Sequence, residues 1–452
     1  MELTIIAKET VKPSCLPLDH PKPYKLCLFD QITPMTYVSI VLFYRSPDQN
    51  FNDNLPQTLS QLKKSLSETL NLFYPLSGRT NDNFYIDDFN AGVTYIEASV
   101  SCSLTEFSKL SQTELLNQFV PFPPLRDERE YSRESELPPI GFQVNIFACG
   151  GIALGTAFGH KIADGGTICH FLTSWAATFH GSRENLVSPN LSNASVAFPP
   201  RDLLPPKYQT LTETLWFNKG NLVTRRFVFD ANNIASLRDL AKSEGVSRPS
   251  RNDALTCFIW KHASEAAASV AGGAARASAV AQAVNLRPRM KSQDLSSSIG
   301  NLFWWSSASS SDARSAELSE LVDTLRESLL SFNEYLDRTD QGEVGFAAVS
   351  ECYDRLEGIL NSSAGDVYVF TNWGRFFNEV DFGWGKPEWV GPHGKPGRFM
   401  NVTVFVEAQG GKGIEAFVTL EESHMAVLEK DPKFLAFASP NPQGVLPGGE
   451  CD

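Results

Sequence analysis

His160 and Asp164 are the residues of this sequence whose types and spacing best suit acid–base chemistry. A neutral imidazole can take the proton of a hydroxyl group while the oxygen attacks a carbonyl carbon, because histidine titrates near neutral pH. Asp164 could orient the imidazole as in a catalytic triad, or it could pair with an arginine and hold the loop in shape. The residues leave both roles open, and with seven histidines in the chain the spacing is a weak signal.

Thr371 and Trp373 form a second candidate group, because they follow an apolar run, residues 367–370, that predicts a strand. A threonine hydroxyl or an indole N–H at the end of a strand can donate a hydrogen bond to a developing oxyanion. For Trp373, packing in the core is the more ordinary role at such a position. Both interpretations remain open at this point.

A third string reads Asp381-Phe382-Gly383-Trp384-Gly385. Its glycines permit unusual backbone angles, while the two aromatic residues can anchor the segment against a core. The string therefore predicts a structural turn, and Asp381 is not assigned to chemistry.

Signatures of several other reactions are absent from the sequence. It contains no G-x-S-x-G string, no H-E-x-x-H string, no phosphate-binding P-loop and no G-x-G-x-x-G string. The sequence therefore disfavours a hydrolase, a zinc protease, a kinase or a dehydrogenase. We expect no metal site and no permanently bound cofactor.

A β-hairpin and a helix are predicted to position His160. Apolar alternation across residues 142–158 predicts the hairpin, whose second strand runs directly into His160. Apolar residues at helical spacing over 168–179 predict the helix, with Asp164 or Thr167 as its N-cap. The histidine thus stands at a strand-to-helix junction on the rim of a sheet, where a cleft can form.

The chain is long enough for two domains. Its 452 residues exceed what one core usually organises, and alternating strands and helices predict an α/β fold with mixed-sheet α+β lobes. A proline-rich stretch predicts a surface crossover, which divides the chain into an N-terminal lobe with the candidate histidine (1–190), a linker (191–222) and a C-terminal lobe with the D-F-G-W-G string (223–452). Residues 306–315, rich in serine, predict a surface loop.

Charge and composition exclude several partners. The formal net charge of -13 disfavours nucleic acid and anionic membranes, although a local basic patch remains compatible with phosphate groups. The eight cysteines form no C-x-x-C pair, and no apolar run approaches the roughly 20 residues of a membrane helix. The N-terminus lacks the features of a signal peptide. We therefore expect a cytoplasmic monomer.

Two of these strings resemble the signatures of the plant BAHD acyltransferase family, H-x-x-x-D-G over residues 160–165 and D-F-G-W-G over residues 381–385. Residues 74–79, 282–287 and 299–301 resemble further blocks of the family, so the resemblance covers almost the whole chain. It implies a two-domain fold of the chloramphenicol-acetyltransferase type. It also implies a channel between the lobes that admits acyl-CoA and the acceptor from opposite sides.

The resemblance also implies roles for the candidate residues. His160 would be the general base, midway along the channel. Asp164 would point away from the reaction and pair with Arg287, which favours the structural role over the triad. Asp381 and the glycines Gly383 and Gly385 would be structural and distant from the histidine.

Two further roles come from the same resemblance. Thr371 and Trp373 would assist the oxyanion, although Asn372 stands where the family often has serine, which weakens the transfer of that role. Lys261 and Asn301 are the candidates for contacts with CoA.

Within the family, the segments around His160 and residues 282–287 are most similar to O-acetyltransferases of alkaloids and terpenoids. This points to transfer of an acetyl group from acetyl-CoA, as co-substrate, to a hydroxyl group of a specialised metabolite. Lys161, where some relatives have a second histidine, weakly disfavours acylation of amines. The alternatives are N-acylation, a longer or aromatic acyl donor, and a non-enzymatic protein that binds a small molecule in the same fold.

Overall fold

The computed structural model describes residues 1–15, 22–46, 51–110, 113–122, 138–182, 186–217, 220–338, 343–362, 366–392, 394, 400–408, 411 and 413–441. Within this part of the chain, two large mixed sheets and one small sheet are present. The predicted mixed-sheet α/β fold is therefore confirmed.

The first large sheet carries His160 at the end of one strand. Its strands, in spatial order, are β1 (Leu3–Val11), β6 (Val93–Val100), β7 (Ile140–Phe147), β8 (Ile152–Gly159), β3 (Tyr37–Tyr44) and β13 (Trp389–Pro392). Strands β6 and β7 are parallel, and the other neighbours are antiparallel. Strands β7 and β8 form the predicted hairpin. Strand β13 comes from the second half of the chain and completes the sheet beside β3.

The second large sheet is built from the second half of the chain. Its strands, in spatial order, are β11 (Phe303–Ser310), β10 (Ser278–Asn285), β12 (Asp366–Gly374), β14 (Asn401–Glu407), β15 (Gly413–Glu421), β9 (Leu222–Asp230) and β16 (Ser439–Pro440). Strand β12 is parallel to both of its neighbours. The small sheet contains β2 (Tyr24–Lys25), β5 (Tyr85–Asp87) and β4 (Arg79–Asn81).

Helices cover the sheets and supply much of the core. They are α1 (Leu28–Ile32), α2 (Phe51–Leu72), α3 (Leu104–Ser108), α4 (Gly165–His180), α5 (Asn193–Ala197), α6 (Pro206–Trp216), α7 (Ala231–Leu240), α8 (Arg251–Val270), α9 (Leu318–Arg338), α10 (Glu343–Ser362), α11 (Glu422–Leu428) and α12 (Pro432–Leu435). Helices α2 and α4 pack together, and α8 packs against both α9 and α11. The largest cluster of buried apolar residues spans both large sheets. None of the described helices is long and apolar enough to cross a bilayer.

Helix α4 begins and ends where the sequence predicted. Asp164 is its N-cap and accepts a hydrogen bond from the backbone N–H of Thr167. Gly181 ends the helix with a φ of 73°, in the left-handed region that glycine adopts without strain. The junction that carries His160 is therefore held by a strand on one side and a capped helix on the other.

Two segments differ from the sequence expectations. Residues 191–222, expected to be an irregular surface crossover, contain helices α5 and α6, and α6 buries Tyr208, Leu215 and Trp216. Residues 306–310, expected to lie in a loop, belong to strand β11. In both segments tertiary packing outweighs a weak local signal. The lobe boundaries themselves stay a prediction.

Candidate active site

His160 follows the last residue of β8 and is fixed by backbone contacts on that side. Its N–H donates to the carbonyl oxygen of Thr36 over 2.6 Å. The preceding residue is glycine for a steric reason: a Cβ atom on Gly159 would lie 2.8 Å from the terminal methyl carbon of Met35 and 3.1 Å from the carbonyl oxygen of Pro139. The strand therefore reaches the histidine through a position that a serine would crowd.

The imidazole of His160 is held by Asn301. The Nδ1 atom lies 3.0 Å from the side-chain oxygen of Asn301, whose amide nitrogen donates to the His160 carbonyl over 2.6 Å and to an Asp30 carboxylate oxygen over 3.0 Å. Since a carboxylate only accepts hydrogen bonds, Asp30 fixes which end of the amide faces the ring. The amide oxygen needs a donor, so Nδ1 carries the proton. The other ring nitrogen, Nε2, has no hydrogen-bond partner among the described residues and keeps its lone pair.

Asp30 is the residue that the sequence analysis missed. It lies in the short helix α1, is fully buried, and accepts hydrogen bonds from the backbone N–H groups of Cys27 and Asn301. Burial raises the pKa of this carboxyl to about 6, against the opposing effect of these hydrogen bonds. An acidic residue 130 positions before the histidine carries no sequence signal for this role. The resemblance gives Asn301 as a candidate for contact with CoA; in the structure its side chain contacts His160.

Burial also sets the protonation of the histidine. It lowers the pKa of His160 below the ordinary value, although Asp164 and the contact with Asn301 act in the opposite direction. Two aromatic rings enclose the imidazole, that of Trp216 at 5.0 Å between centroids and that of Phe303 at 5.4 Å. The neutral ring is therefore the favoured form near pH 7, as a general base requires.

Asp164 is turned away from His160 and pairs with Arg287. Its two carboxylate oxygens accept hydrogen bonds from the guanidinium over 2.7 and 3.0 Å and from the backbone N–H groups of Thr167 and Leu302, each over 2.9 Å. Burial alone would raise the pKa of Asp164, but the Arg287 charge and these hydrogen bonds hold it below its ordinary value. The expected contact between the two residues is confirmed.

Arg287 ties this pair to the segment before Asn301. Its guanidinium also donates to the carbonyl oxygens of Ser298 and Gly300. A Cβ atom on Gly166 would lie 2.7 Å from the guanidinium, so helix α4 can approach the pair only with glycine at this position. The loop after His160 and the segment 298–302 are therefore locked together through one arginine.

Lys161 also lies on the buried side of the loop. Its ammonium group donates to the carbonyl oxygens of Gln31 and Thr33, at the end of helix α1. It is absent from the cavity wall, so any effect on acceptor choice is indirect. The contacts instead hold the helix that supplies Asp30.

A cavity that opens to solvent lies between the two large sheets. His160 is on its wall together with Thr371, Asn372 and Trp373 at the end of β12. The structure thus brings the predicted oxyanion donors and the predicted base to one cavity. Neither the Thr371 hydroxyl nor the Trp373 indole N–H has a hydrogen-bond partner within the described residues.

A second cavity shares one wall residue, Asn372, with the first. The N-terminus of α8 lies on its wall, with Arg251 paired to the buried carboxylate of Glu407 over 2.9 and 3.0 Å. Arg375 approaches the same carboxylate at 3.7 Å. Two arginines thus face one carboxylate beside this opening, whereas the chain as a whole has an excess of acidic residues.

Lys261, the other sequence candidate for CoA, lies on α8 away from both cavities. Its ammonium donates to the carbonyl oxygen of Ala316, and the residue is absent from both walls. Because α8 rises about 1.5 Å per residue, Lys261 is roughly 15 Å along the helix from the charged opening. The periodicity of the helix did not indicate which turn would face a cavity.

The Asp381 string forms a turn outside the cavity wall. One carboxylate oxygen of Asp381 accepts from the N–H groups of Gly383 and Gly385 over 2.7 and 3.0 Å, and both glycines have positive φ angles, 89° and 87°. The ring of Phe382 packs edge-on against Trp175 of α4 at 5.1 Å. This is the geometry of the structural turn that the sequence predicted.

The chain matches known proteins over nearly its full length. Residues 1–435 match the model of the Transferase family. Akuammiline synthase 2 from Alstonia scholaris is 35% identical over 98% of both chains. Limonoid 7-O-acetyltransferase from Citrus sinensis is 34% identical over 98% of this chain and 99% of the relative.

Solved structures give the same picture of the fold. The crystal structure of vinorine synthase superposes with a TM-score of 0.80 at 29% identity, over 97% of this chain and 99% of the other. The structure of TRI101 from F. graminearum with coenzyme A and deoxynivalenol has a TM-score of 0.72 at 16% identity, covering 93% of this chain and 100% of that one, which shows the shared fold alone.

These matches define an enzyme that transfers acyl groups. The chain belongs to the Transferase family, the BAHD acyltransferases. The resemblance carried by residues 160–165 and 381–385 is thereby confirmed.

Proposed function

We propose that this enzyme transfers an acetyl group from acetyl-CoA to a hydroxyl group of a plant specialised metabolite, such as an alkaloid or a terpenoid, with His160 as the general base. The observation that carries the proposal is the contact between Nδ1 and Asn301, which leaves Nε2 unprotonated in a residue on the cavity wall. The similarity to akuammiline synthase 2 and to limonoid O-acetyltransferases supports this class of acceptor.

In this mechanism the Nε2 atom of His160 takes the hydroxyl proton while the acceptor oxygen attacks the thioester carbonyl carbon. The tetrahedral intermediate collapses as its C–S bond breaks, and the imidazolium returns the proton to the CoA thiolate. No acyl-enzyme forms, because acceptor and donor meet in the same cavity. Thr371 and Trp373 are proposed to donate hydrogen bonds to the oxyanion, since both lie on the wall with uncommitted donors.

The two cavities suggest how the substrates approach. The phosphates of CoA need cations, and the opening lined by Arg251 with Arg375 nearby supplies them beside the N-terminus of α8. We propose that the pantetheine arm passes Asn372 to reach His160, while the acceptor occupies the cavity that His160 lines. We propose these two arginines in place of Lys261 and Asn301 as candidates for CoA contacts. The side chains of Arg251 and Arg375 are 46% and 66% exposed although both face Glu407, whereas Asn301 is fully buried and Lys261 lines neither cavity.

Replacement of the proposed base is the direct test. The His160→Ala enzyme should release free CoA about 10²- to 10⁴-fold more slowly with acetyl-CoA and an alcohol acceptor, because general-base catalysis is lost. Its thermal unfolding midpoint should match that of the unchanged protein. Thiol release measured beside the melting curve checks both. Turnover retained within tenfold would reject the assignment, and acyl transfer to amines alone would favour N-acylation.

We further propose that the chain divides into lobes 1–190 and 223–452, joined by residues 191–222. We also propose that the enzyme is a monomer located in the cytoplasm. Sedimentation of the purified protein tests the monomer, and fractionation of the source tissue tests the location. Use of longer or aromatic acyl donors is tested by competition against acetyl-CoA.

A further inference from the structure

The wall of the cavity that contains His160 carries almost no charge. Its apolar members are Tyr37, Val38, Ile40, Ile168, Trp216, Ala283, Phe303, Trp305, Val369, Trp373, Phe376, Phe377, Met400, Val402 and Val404. Asp164 and Arg287 are the charged residues among those that line the cavity in the described part of the chain. An acceptor bound here is therefore surrounded mainly by hydrocarbon and aromatic surface.

The two charges on the wall are already satisfied. The oxygens of Asp164 together accept four hydrogen bonds, two of them from Arg287. The side chains of Asp164 and Arg287 are only 5% and 8% exposed. Neither residue can offer its charge to a substrate without breaking the pair, which would leave a buried charge unpaired.

The neutral polar groups on the wall favour acceptors that present oxygen atoms. Asn285 uses its side-chain oxygen to accept the N–H of Arg287, and Asn372 uses its oxygen to accept the N–H of Gly374. Both amide NH₂ groups have no partner among the described residues, so they remain as donors. A hydroxyl, carbonyl or ether oxygen can accept from them, whereas an ammonium group brings only donors of its own.

Aromatic rings do not compensate a buried ammonium group here. A single cation–π contact contributes about 0.5 to 2 kcal/mol, whereas removing an unpaired ion from water costs several kcal/mol. The ring of Trp305 also packs edge-on against those of Phe303 at 5.2 Å and Trp216 at 6.0 Å. The balance therefore runs against a charged acceptor, even in a wall rich in aromatic rings.

We propose that the acceptor is an uncharged, bulky alcohol with further oxygen atoms and no basic nitrogen. Of the two acceptor classes in the proposed function, alkaloids and terpenoids, the terpenoids fit this description. This inference rests on the proposed acyl transfer and narrows its substrate. A protonated amine elsewhere on the acceptor would have to lose its proton before binding. For an amine with a pKa near 9, about 1% is neutral at pH 7, which sets a penalty of about 100-fold.

The test uses the unchanged enzyme, acetyl-CoA and three acceptors built on one hydroxysteroid skeleton. The first is the neutral alcohol, the second has a ring carbon replaced by a tertiary amine, and the third is the N-methylated quaternary salt of the second. The ratio kcat/KM is measured for each between pH 6.5 and 9.5 by thiol release, with His160→Ala as the background.

The neutral alcohol should exceed the tertiary amine by about 100-fold at pH 7, and this ratio should shrink as pH rises through the pKa of the amine. The quaternary salt should stay at background at every pH. Turnover of the quaternary salt within tenfold of the neutral alcohol would overturn the inference and leave the proposed acyl transfer intact. If no acceptor exceeds the His160→Ala background, the proposed function fails together with the inference.

Discussion

Two buried carboxylates, Asp30 and Asp164, contact consecutive backbone N–H groups of the same segment. Asp30 accepts from Asn301 over 2.7 Å, and Asp164 accepts from Leu302 over 2.9 Å. Only Asp164 belongs to the string that the sequence marks as chemical. Yet Asp30 is the one that reaches His160, through the Asn301 side chain.

The two carboxylates differ in what compensates their charge. Asp164 faces the Arg287 guanidinium, and its pKa is lowered; Asp30 faces neutral amides, and burial raises its pKa to about 6. A carboxylate matched by a cation stabilises the fold but has no free lone pair for another task. A carboxylate held by neutral amides, such as Asp30, is costly to bury. It can, however, orient the Asn301 side chain, which in turn orients His160. The distinction predicts separate effects on stability and on rate.

Removal of Arg287 should give the largest change in stability. Arg287→Ala leaves the Asp164 carboxylate buried without its cation, so the free energy of unfolding should fall by about 3 to 5 kcal/mol. Urea denaturation measures it. Lys291→Ala is the matched control, because its pair with Asp337 is exposed and should leave stability unchanged. If both variants unfold at the same urea concentration, the Asp164 pair does not hold the fold.

The contribution of Asp30 to stability should fall as pH rises, opposite to that of Asp164, because its pKa is raised whereas that of Asp164 is lowered. Because its folded pKa, about 6, exceeds the unfolded value of 3.8, the folded state holds the proton more tightly and loses stability as pH rises from 4 to 6. Asp30→Asn removes this loss, so the variant should gain on the order of 3 kcal/mol relative to the unchanged protein between pH 4 and 7. Urea denaturation at several pH values measures the difference. A constant difference would mean that Asp30 has an ordinary pKa.

Asn301 should affect rate more than stability. Asn301→Ala frees the imidazole to rotate and to change tautomer, so kcat should fall about 10- to 100-fold while the KM for acetyl-CoA is unchanged. The decisive comparison is between His160→Ala and the double variant that carries both His160→Ala and Asn301→Ala. Since Asn301 acts through the histidine, the double variant should be no slower than His160→Ala alone. A further loss of rate in the double variant would show an independent role, such as contact with CoA.

The parts of the fold with strong local patterns could be predicted from the sequence. The hairpin β7–β8, helix α4 and its Asp164 cap have regular apolar spacing and clear ends, and all three are present. The pairing of Asp164 with Arg287 came from a resemblance, because residues so far apart leave no local trace of their contact.

The parts set by tertiary contact could not be predicted. Ser306 lies in strand β11, where it pairs with Gln282 of β10, and its hydroxyl lies 2.9 Å from that of Ser328 on α9. Local propensity includes neither of these long-range contacts. Trp216 packs on His160 from a segment whose prolines suggested a crossover. Asp30 became visible only when the fold brought α1 beside Asn301.

Strand β13 has a consequence for how the protein is made. The first sheet takes this strand, residues 389–392, from the second half of the chain, and Phe382 covers Trp175 from the same region. During synthesis on the ribosome, one edge of β3 therefore stays unpaired until residues 389–392 have emerged. The contacts join distant positions, so folding is slow and depends on late synthesis. A nascent chain stopped before residue 389 therefore leaves this edge of β3 open to pairing with another chain, which favours aggregation.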